Sequence, residues 1–200
     1  MFKRFLLFVL ACFLIFSCKK DTSTPAVPFA QQSFSFNARI GNNLVSYTDS
    51  AGVYNTASRI PASAANKYLE EQSSTFKGSI KGVTVNAGIT LYEYFPTAPS
   101  DTVLNTMFST GTYQYWNPNA AVSGVEIFWF DGIKTWSSAY GKADQSQTSS
   151  FTITNHIANT SSDTTYKYIT AGNATCILYD GQGNSIPMSY SAFKLKTNKY

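Results

Sequence analysis

The sequence predicts an all-β fold, an antiparallel β-sandwich or open barrel of roughly nine or ten short strands with one short helix. Three observations carry that prediction. Apolar and polar residues alternate with period two in run after run from Phe34 to the C-terminus. Turn signals built on Gly, Asn, Asp and Pro separate the runs. Only one segment has clear helical spacing.

Phe34, Phe36, Ala38 and Ile40 share one face of the first strand, with Ser35, Asn37 and Arg39 on the other. The stretch from Ala51 to Gln72 is the least legible, because Ala62 to Glu71 fits both a short helix and an irregular strand. Phe76 to Ile80 leads through Lys81-Gly82 into the cleanest alternation in the chain. There Val83, Val85, Ala87, Ile89 and Leu91 oppose Thr84, Asn86, Gly88, Thr90 and Tyr92. After Pro96 and Pro99, Ser100 or Asp101 caps a brief helix whose Val103, Leu104, Met107 and Phe108 share a face and which Gly111 ends.

Val125 to Phe130 and Ile133 to Ser138 flank Asp131-Gly132, a dipeptide suited to the positive φ angles of a two-residue type I′ turn. In that register Phe130 faces Ile133 and Ile127 faces Trp136, which sends Trp129 and Trp136 to the core with Val125 and Ile127. Phe151, Ile153, Asn155 and Ile157 then alternate with Thr152, Thr154 and His156. Thr165 to Thr170 and Thr175 to Asp180 supply two more strands, and Asp180-Gly181-Gln182-Gly183-Asn184 a turn. The last strand runs from Ile186 to Lys196, and its apolar phase slips near Ser191-Ala192 as at a β-bulge.

The N-terminus carries an address. Lys3 and Arg4 precede an uncharged run from Phe5 to Phe16, and Ser17 puts a small residue directly before Cys18, the layout of a bacterial lipoprotein signal. A spanning helix would need roughly 20 apolar residues, more than this run supplies. Residues 1–17 are therefore expected to be cleaved, with Cys18 lipidated, residues 18–32 a flexible tether, and residues 33–200 a single domain. Acyl chains gain about 0.8 kcal/mol per buried methylene, so two of them hold the protein at a membrane without help from the domain.

Cleavage removes two of the 15 basic residues and none of the 11 acidic ones, lowering the formal charge from +4 to +2. So small a charge, spread along the chain, leaves no nucleic-acid footprint. It leaves Cys176 as the only thiol besides the lipidated cysteine, so no intrachain disulfide is expected. Within Thr175-Cys176-Ile177-Leu178-Tyr179 that thiol reads as a buried strand residue.

Several motifs carry a resemblance. The segment Glu126 to Ser138 (EIFWFDGIKTWSS), followed by Phe151-Thr152-Ile153-Thr154, resembles small β-rich lipoproteins of Bacteroidota that belong to families of unknown function. The Ser17-Cys18-Lys19-Lys20 lipobox, Phe36-Asn37-Ala38-Arg39-Ile40 and Gly111-Thr112-Tyr113 fit the same likeness, which runs loosely over the whole chain. Members often carry Asp-Gly and Trp in the opening hairpin, where this chain has Gly41-Asn42-Asn43-Leu44. The resemblance implies a sandwich fold and an envelope address, with no assigned catalytic residue.

The same bacterial group O-glycosylates exported proteins at Asp followed by Ser or Thr and then a small or aliphatic residue or Thr. Asp49-Ser50-Ala51, Asp101-Thr102-Val103 and Asp163-Thr164-Thr165 match, which makes Ser50, Thr102 and Thr164 candidates. Asp-Ser and Asp-Thr are equally ordinary turn and cap dipeptides. Surface export in this group uses acidic residues just after the lipidated cysteine, and Cys18-Lys19-Lys20-Asp21 offers one. The resemblance thus implies the outer membrane and leaves its face open.

Catalytic constellations are not visible. The only histidine, His156, falls on the Thr152/Thr154 phase and is expected in solvent, away from any relay or metal. Glu70, Glu71, Glu93, Glu126, Asp131 and Asp180 show no spacing that pairs two carboxyls for glycoside hydrolysis. Asp180, Gln182 and Asn184 faintly resemble the start of a calcium loop, but no bidentate carboxylate follows, so an ordinary turn is expected. No cofactor or metal is expected.

Aromatic residues make up 16% of the chain and charged ones 13%, so ring surfaces outweigh charge as recognition elements. Sugar-binding surfaces use exposed rings as flat apolar platforms. Trp116 lies where Tyr113-Gln114-Tyr115-Trp116-Asn117-Pro118-Asn119 ends a strand in a polar turn, and Tyr92 and Tyr94 sit on the polar phase of the Val83 strand. Trp116, Tyr113, Tyr115, Tyr92 and Tyr94 are the candidate glycan platform; the alternative is that they cover the sheet with hydroxyls in water. The expectation is a lipid-anchored envelope protein with a non-catalytic binding or accessory role toward a glycan or protein partner. Its rivals are a polysaccharide-active enzyme of glycoside hydrolase type and a structural subunit of an outer-membrane complex, the last predicting an exposed apolar patch.

Overall fold

A computed structural model describes residues 33–48, 53–62, 67–80, 82–104, 107, 109–120, 122–140, 145, 148–159 and 168–197. The strands are β1 (Ser35–Ile40), β2 (Asn43–Thr48), β3 (Val53–Ala62), β4 (Lys67–Ile80), β5 (Val83–Phe95), β6 (Gly111–Tyr113), β7 (Gly124–Phe130), β8 (Thr135–Ser137), β9 (Ser150–Ala158), β10 (Tyr168–Tyr179) and β11 (Ser185–Thr197). One four-residue helical turn, α1 (Asp101–Leu104), separates β5 from β6. The fold is all-β, as the alternation predicts.

Of the two architectures the pattern admits, the structure has the open one, a single curled antiparallel sheet that forms a half-barrel. Among the described residues eleven strands belong to it, in the order β2-β1-β11-β10-β8-β7-β5-β4-β3, with a side arm in which β9 pairs with β10 and β6 with β9. Curling brings strands far apart in that order face to face. The rings of Phe36 on β1 and Phe76 on β4 lie 6.2 Å apart, and the Ser74 hydroxyl donates to the Lys196 carbonyl on β11. Phe36, Phe76, Ile89, Ile127, Phe151 and Leu178 are wholly buried in this interior.

Where it is described, the illegible stretch is strand. β3 and β4 pair from Val53↔Phe76 to Ala62↔Lys67, so Ala62 and the residues from Lys67 to Glu71 are strand, and residues 63–66 lie outside the described residues. Its pattern is hard to read because the inward face of β4 continues from Phe76 through Ser74, Gln72 and Glu70, all buried and all polar. Of the predicted helix, the described residues contain the single turn of α1, with Met107 buried and Val103 exposed; residues 105, 106 and Phe108 lie outside the described residues.

Bulges account for the remaining differences. The two strands expected around residues 165–180 are the one strand β10 over its described length, interrupted by an irregularity between Ala174 and Cys176. There Ser189 and Tyr190 on β11 are both exposed between buried Met188 and Ser191, so the phase slip sits two residues before Ser191-Ala192. A second bulge falls where Ala171↔Asn155 gives way to Gly172↔Ile153. Gly172 permits that crossing, since a Cβ there would run into the Thr152 carbonyl and sit 2.6 Å from the Phe193 ring.

The β7–β8 connection is a four-residue loop rather than a two-residue turn, and Trp129 pairs with Trp136 and Phe130 with Thr135. Its cause is the Asp131 carboxylate. One oxygen accepts from the Ile133 and Lys134 amides at 2.8 and 2.9 Å, and the other from Trp136 Nε1 at 2.9 Å. The register moves by two residues, which preserves facing in a period-2 strand, and both tryptophans remain buried.

Phe76 meets Phe36 across the barrel, so its removal unpacks both walls. Phe76→Ala should lower unfolding free energy by about 3–5 kcal/mol in urea titration. A loss below about 1 kcal/mol would mean the two walls do not depend on that contact.

Candidate functional site

β5 runs alongside β4 to Phe95, but its pairing with β7 ends at Tyr92↔Gly124. Beyond that point Ser123 Oγ takes over, accepting from the Tyr94 amide at 3.0 Å. On the far side of the opening stands β6, and the chain leaving it turns onto β7. Val125 N donates to Gln114 O and Trp116 N to Val125 O, each at 2.9 Å, in a parallel bridge of Tyr115 with Val125. Gly124 makes this approach possible, because a Cβ there would lie 2.6 Å from Trp116 N.

The seam between β5 and β6 is a cleft of about 250 Å³ walled chiefly by Leu91, Tyr92, Glu93, Tyr113, Gln114 and Ser123. Two of the five candidate aromatics, Tyr92 and Tyr113, line it. Trp116 stands behind Tyr92 rather than presenting both faces to solvent, with ring centroids 3.8 Å apart and planes 16° from parallel. Its Nε1 is buried and meets no acceptor among the described residues.

Tyr92 is held from its other end. Its hydroxyl donates to Glu126 Oε2 at 2.8 Å, and Glu126 Oε1 accepts from the Ser137 hydroxyl at 2.5 Å. Burial, then the negative charge of Glu126, holds the Tyr92 phenol far above its ordinary pKa. Tyr113 donates to the Ser109 carbonyl at 2.7 Å and sets its ring edge-on to Phe151. Tyr115 is an internal strut whose hydroxyl lies 3.0 Å from the Ser150 carbonyl and 2.9 Å from that of Thr175. Tyr94 is half-buried and outside the cleft lining.

Glu93 is the cleft residue that the aromatic reading missed. A signal for it exists, since residue 93 continues the odd-numbered apolar phase of Val85, Ala87, Ile89 and Leu91 and so faces inward. Burial alone pushes its carboxyl above the usual range. Gln114 and Ser123 come to the cleft through tertiary packing that local pattern does not encode.

His156 corrects an expectation. The bulge near Gly172 reverses the phase of β9, so Ile157 is exposed and His156 turns inward. It is half-buried, stacked on Tyr168 at 4.5 Å, with Nδ1 2.8 Å from the buried Thr170 hydroxyl. Cys176 is core, and burial pushes its thiol up to about 12.

Among the carboxylates, Glu70 and Glu93 stand directly opposite in the β4–β5 register, although no sequence spacing pairs them. Asp131 and Asp180 instead organise turns. Asp180 accepts from Lys134 Nζ at 2.6 Å, Asn184 Nδ2 at 2.7 Å and the Gln182 and Asn184 amides, which makes its segment a closed turn. No group of three or more His, Cys, Asp or Glu residues suited to a metal occurs among the described residues.

Thr102 is exposed on α1, while Ser50, Thr164 and Cys18 lie outside the described residues. Val83 and Ile133 are exposed on adjacent turns at one end of the barrel. Comparison with family models, with curated proteins and with solved structures gives no match to this chain.

The turn carboxylates set an acid limit on the fold. Lys134 and then Asn184 hold the Asp180 carboxyl well below its ordinary range; at Asp131, burial pulls upward but is outweighed by the Lys134 amide, Trp136 and the Ile133 amide. A depressed folded-state pKa contributes stability that is complete above the ordinary carboxylate range and is lost as pH falls toward the depressed values. Stability should therefore drop below about pH 4, and Asp180→Asn should flatten that drop in thermal melts across pH. An unchanged profile would show that the turn carboxylate does not govern it.

Proposed function

We propose that this is a lipid-anchored protein of the cell envelope, tethered through Cys18 in the outer membrane, that binds a sugar unit of a glycan in the β5–β6 cleft without catalysis. The cleft itself carries the reading. It is lined by Tyr92, Glu93, Tyr113, Gln114 and Ser123, residue types that supply both the apolar surface and the hydrogen-bonding groups that a sugar ring presents in complement. Its volume of about 250 Å³ lies below the roughly 300 Å³ at which pockets for drug-sized ligands begin, which suits one ring better than a chain of them. Trp116 contributes by holding Tyr92 flat.

One observation favours hydrolysis as a second reading, the direct opposition of Glu70 and Glu93. A retaining glycosidase needs two carboxyls roughly 5 Å apart, both reaching the substrate. Glu70 has no exposed surface for a substrate to touch, so binding is the reading carried forward. Release of reducing ends from a bound polysaccharide, lost in both Glu70→Gln and Glu93→Gln, would reverse that choice.

The anchor and the cleft are tested separately. Cells fed labelled palmitate should label the protein, and Cys18→Ser should abolish the label; labelling that survives the change would dismiss the lipobox. Full-length protein in detergent, screened on a glycan array, should bind a subset of glycans. Tyr113→Ala and Trp116→Ala should each weaken that binding at least tenfold with unchanged thermal unfolding, and a blank array would sink the sugar-binding reading.

A further inference from the structure

The Glu93 carboxylate is unusual among the charged groups of this barrel. Asp131 and Asp180 are saturated by amides and a lysine, and Glu126 is bridged between Tyr92 and Ser137. Glu93 is half-buried on the cleft wall, yet no hydrogen-bond donor or cation meets its carboxylate among the described residues. The lining contains no Lys, Arg or His. Beside the carboxylate stands Tyr113, close enough that the charge of Glu93 raises the phenol pKa, after burial has done most of it.

A carboxylate withdrawn from water without a partner costs free energy that a ligand can return. An anionic ligand, such as a uronic acid or a phosphate, would add like charge and find no basic group. A neutral hydroxyl would donate to the carboxylate but bring no charge of its own. A protonated amine would add the opposite charge to that bond, making an ion pair at a half-buried carboxylate with Tyr113 beside it.

We infer that the cleft selects a sugar bearing a free protonated amine, with Glu93 as the specificity-determining acceptor and Tyr113 as the adjoining wall. This rests on the sugar-binding reading and narrows it to one ligand class. Acetylation of the amine removes both the charge and the room beside Glu93, so N-acetylated sugars are discriminated against. Glu93 then acts by choosing the ligand rather than by reacting with it.

The test uses full-length protein in detergent at about pH 6, where a primary amine is protonated. Glucosamine, N-acetylglucosamine, glucose and cyclohexylamine are titrated separately by calorimetry. Glucosamine should bind at least tenfold more tightly than glucose or N-acetylglucosamine. Glu93→Gln should erase that preference, while Glu93→Asp, which keeps the charge on a shorter arm, should retain part of it. Equal binding of all three sugars, unaffected by Glu93→Gln, overturns the inference and leaves sugar binding standing. Binding of cyclohexylamine alone, lost in Glu93→Gln, keeps the cation selectivity and overturns the sugar. No binding by any of the four overturns both.

Discussion

The arrangement of this barrel depends on how β10 divides its second edge. Along one edge it pairs with β11 for nearly its whole length, but on the other it has two neighbours, β9 from Tyr168 to Thr175 and β8 at Tyr179. A strand position can hydrogen-bond to only one neighbour on each side, so the sheet forks there into two arms. One arm leads through β8 and β7 to β5, and the other through β9 to β6. The cleft is the space between the arms before they meet again.

The interior changes character along its length. Around Phe36, Phe76, Phe151 and Leu178 it is apolar, whereas toward Glu70 and Thr197 it is polar and still buried. Buried polar groups are tolerable only when they are hydrogen-bonded. Ser74 donates to the Lys196 carbonyl, the Thr170 and Thr197 hydroxyls lie 3.3 Å apart, and Gln72 Nε2 approaches Met107 Sδ at 3.6 Å. The apolar part supplies cohesion, and Glu93 belongs to the polar part, which is why the cleft has chemistry to offer.

Strands with one apolar and one polar face were legible in the sequence. β1 follows its alternation residue by residue and β5 keeps Val85, Ala87, Ile89 and Leu91 buried, although Val83 is exposed and Gly88 and Thr90 are buried as well; the buried positions of Trp129 and Trp136 follow from alternation too. Alternation failed where the inward face is itself polar, as in β4, and where a bulge inserts a residue and reverses the phase, as between Ile153 and His156. Turn chemistry failed at Asp131, whose side chain captures two amides and an indole and so lengthens the loop. At the cleft, Tyr92 and Tyr113 were legible as aromatics outside the core phase. Glu93 was legible only as a charge on an apolar phase, and the approach of Gln114 and Ser123 depends on the fork in the sheet.

The two arms rejoin through backbone. Trp116 N and Val125 O, and Val125 N and Gln114 O, close the seam, and Gly124 contributes to it by having no side chain. Main-chain bonds are indifferent to the residues that carry them, so the clasp and the cleft beside it answer to different constraints. Exchanges at Glu93, Tyr113 or Ser123 would alter the lining of the opening while the closure stays intact. A scaffold of this kind can vary the chemistry of its cleft without renegotiating its architecture.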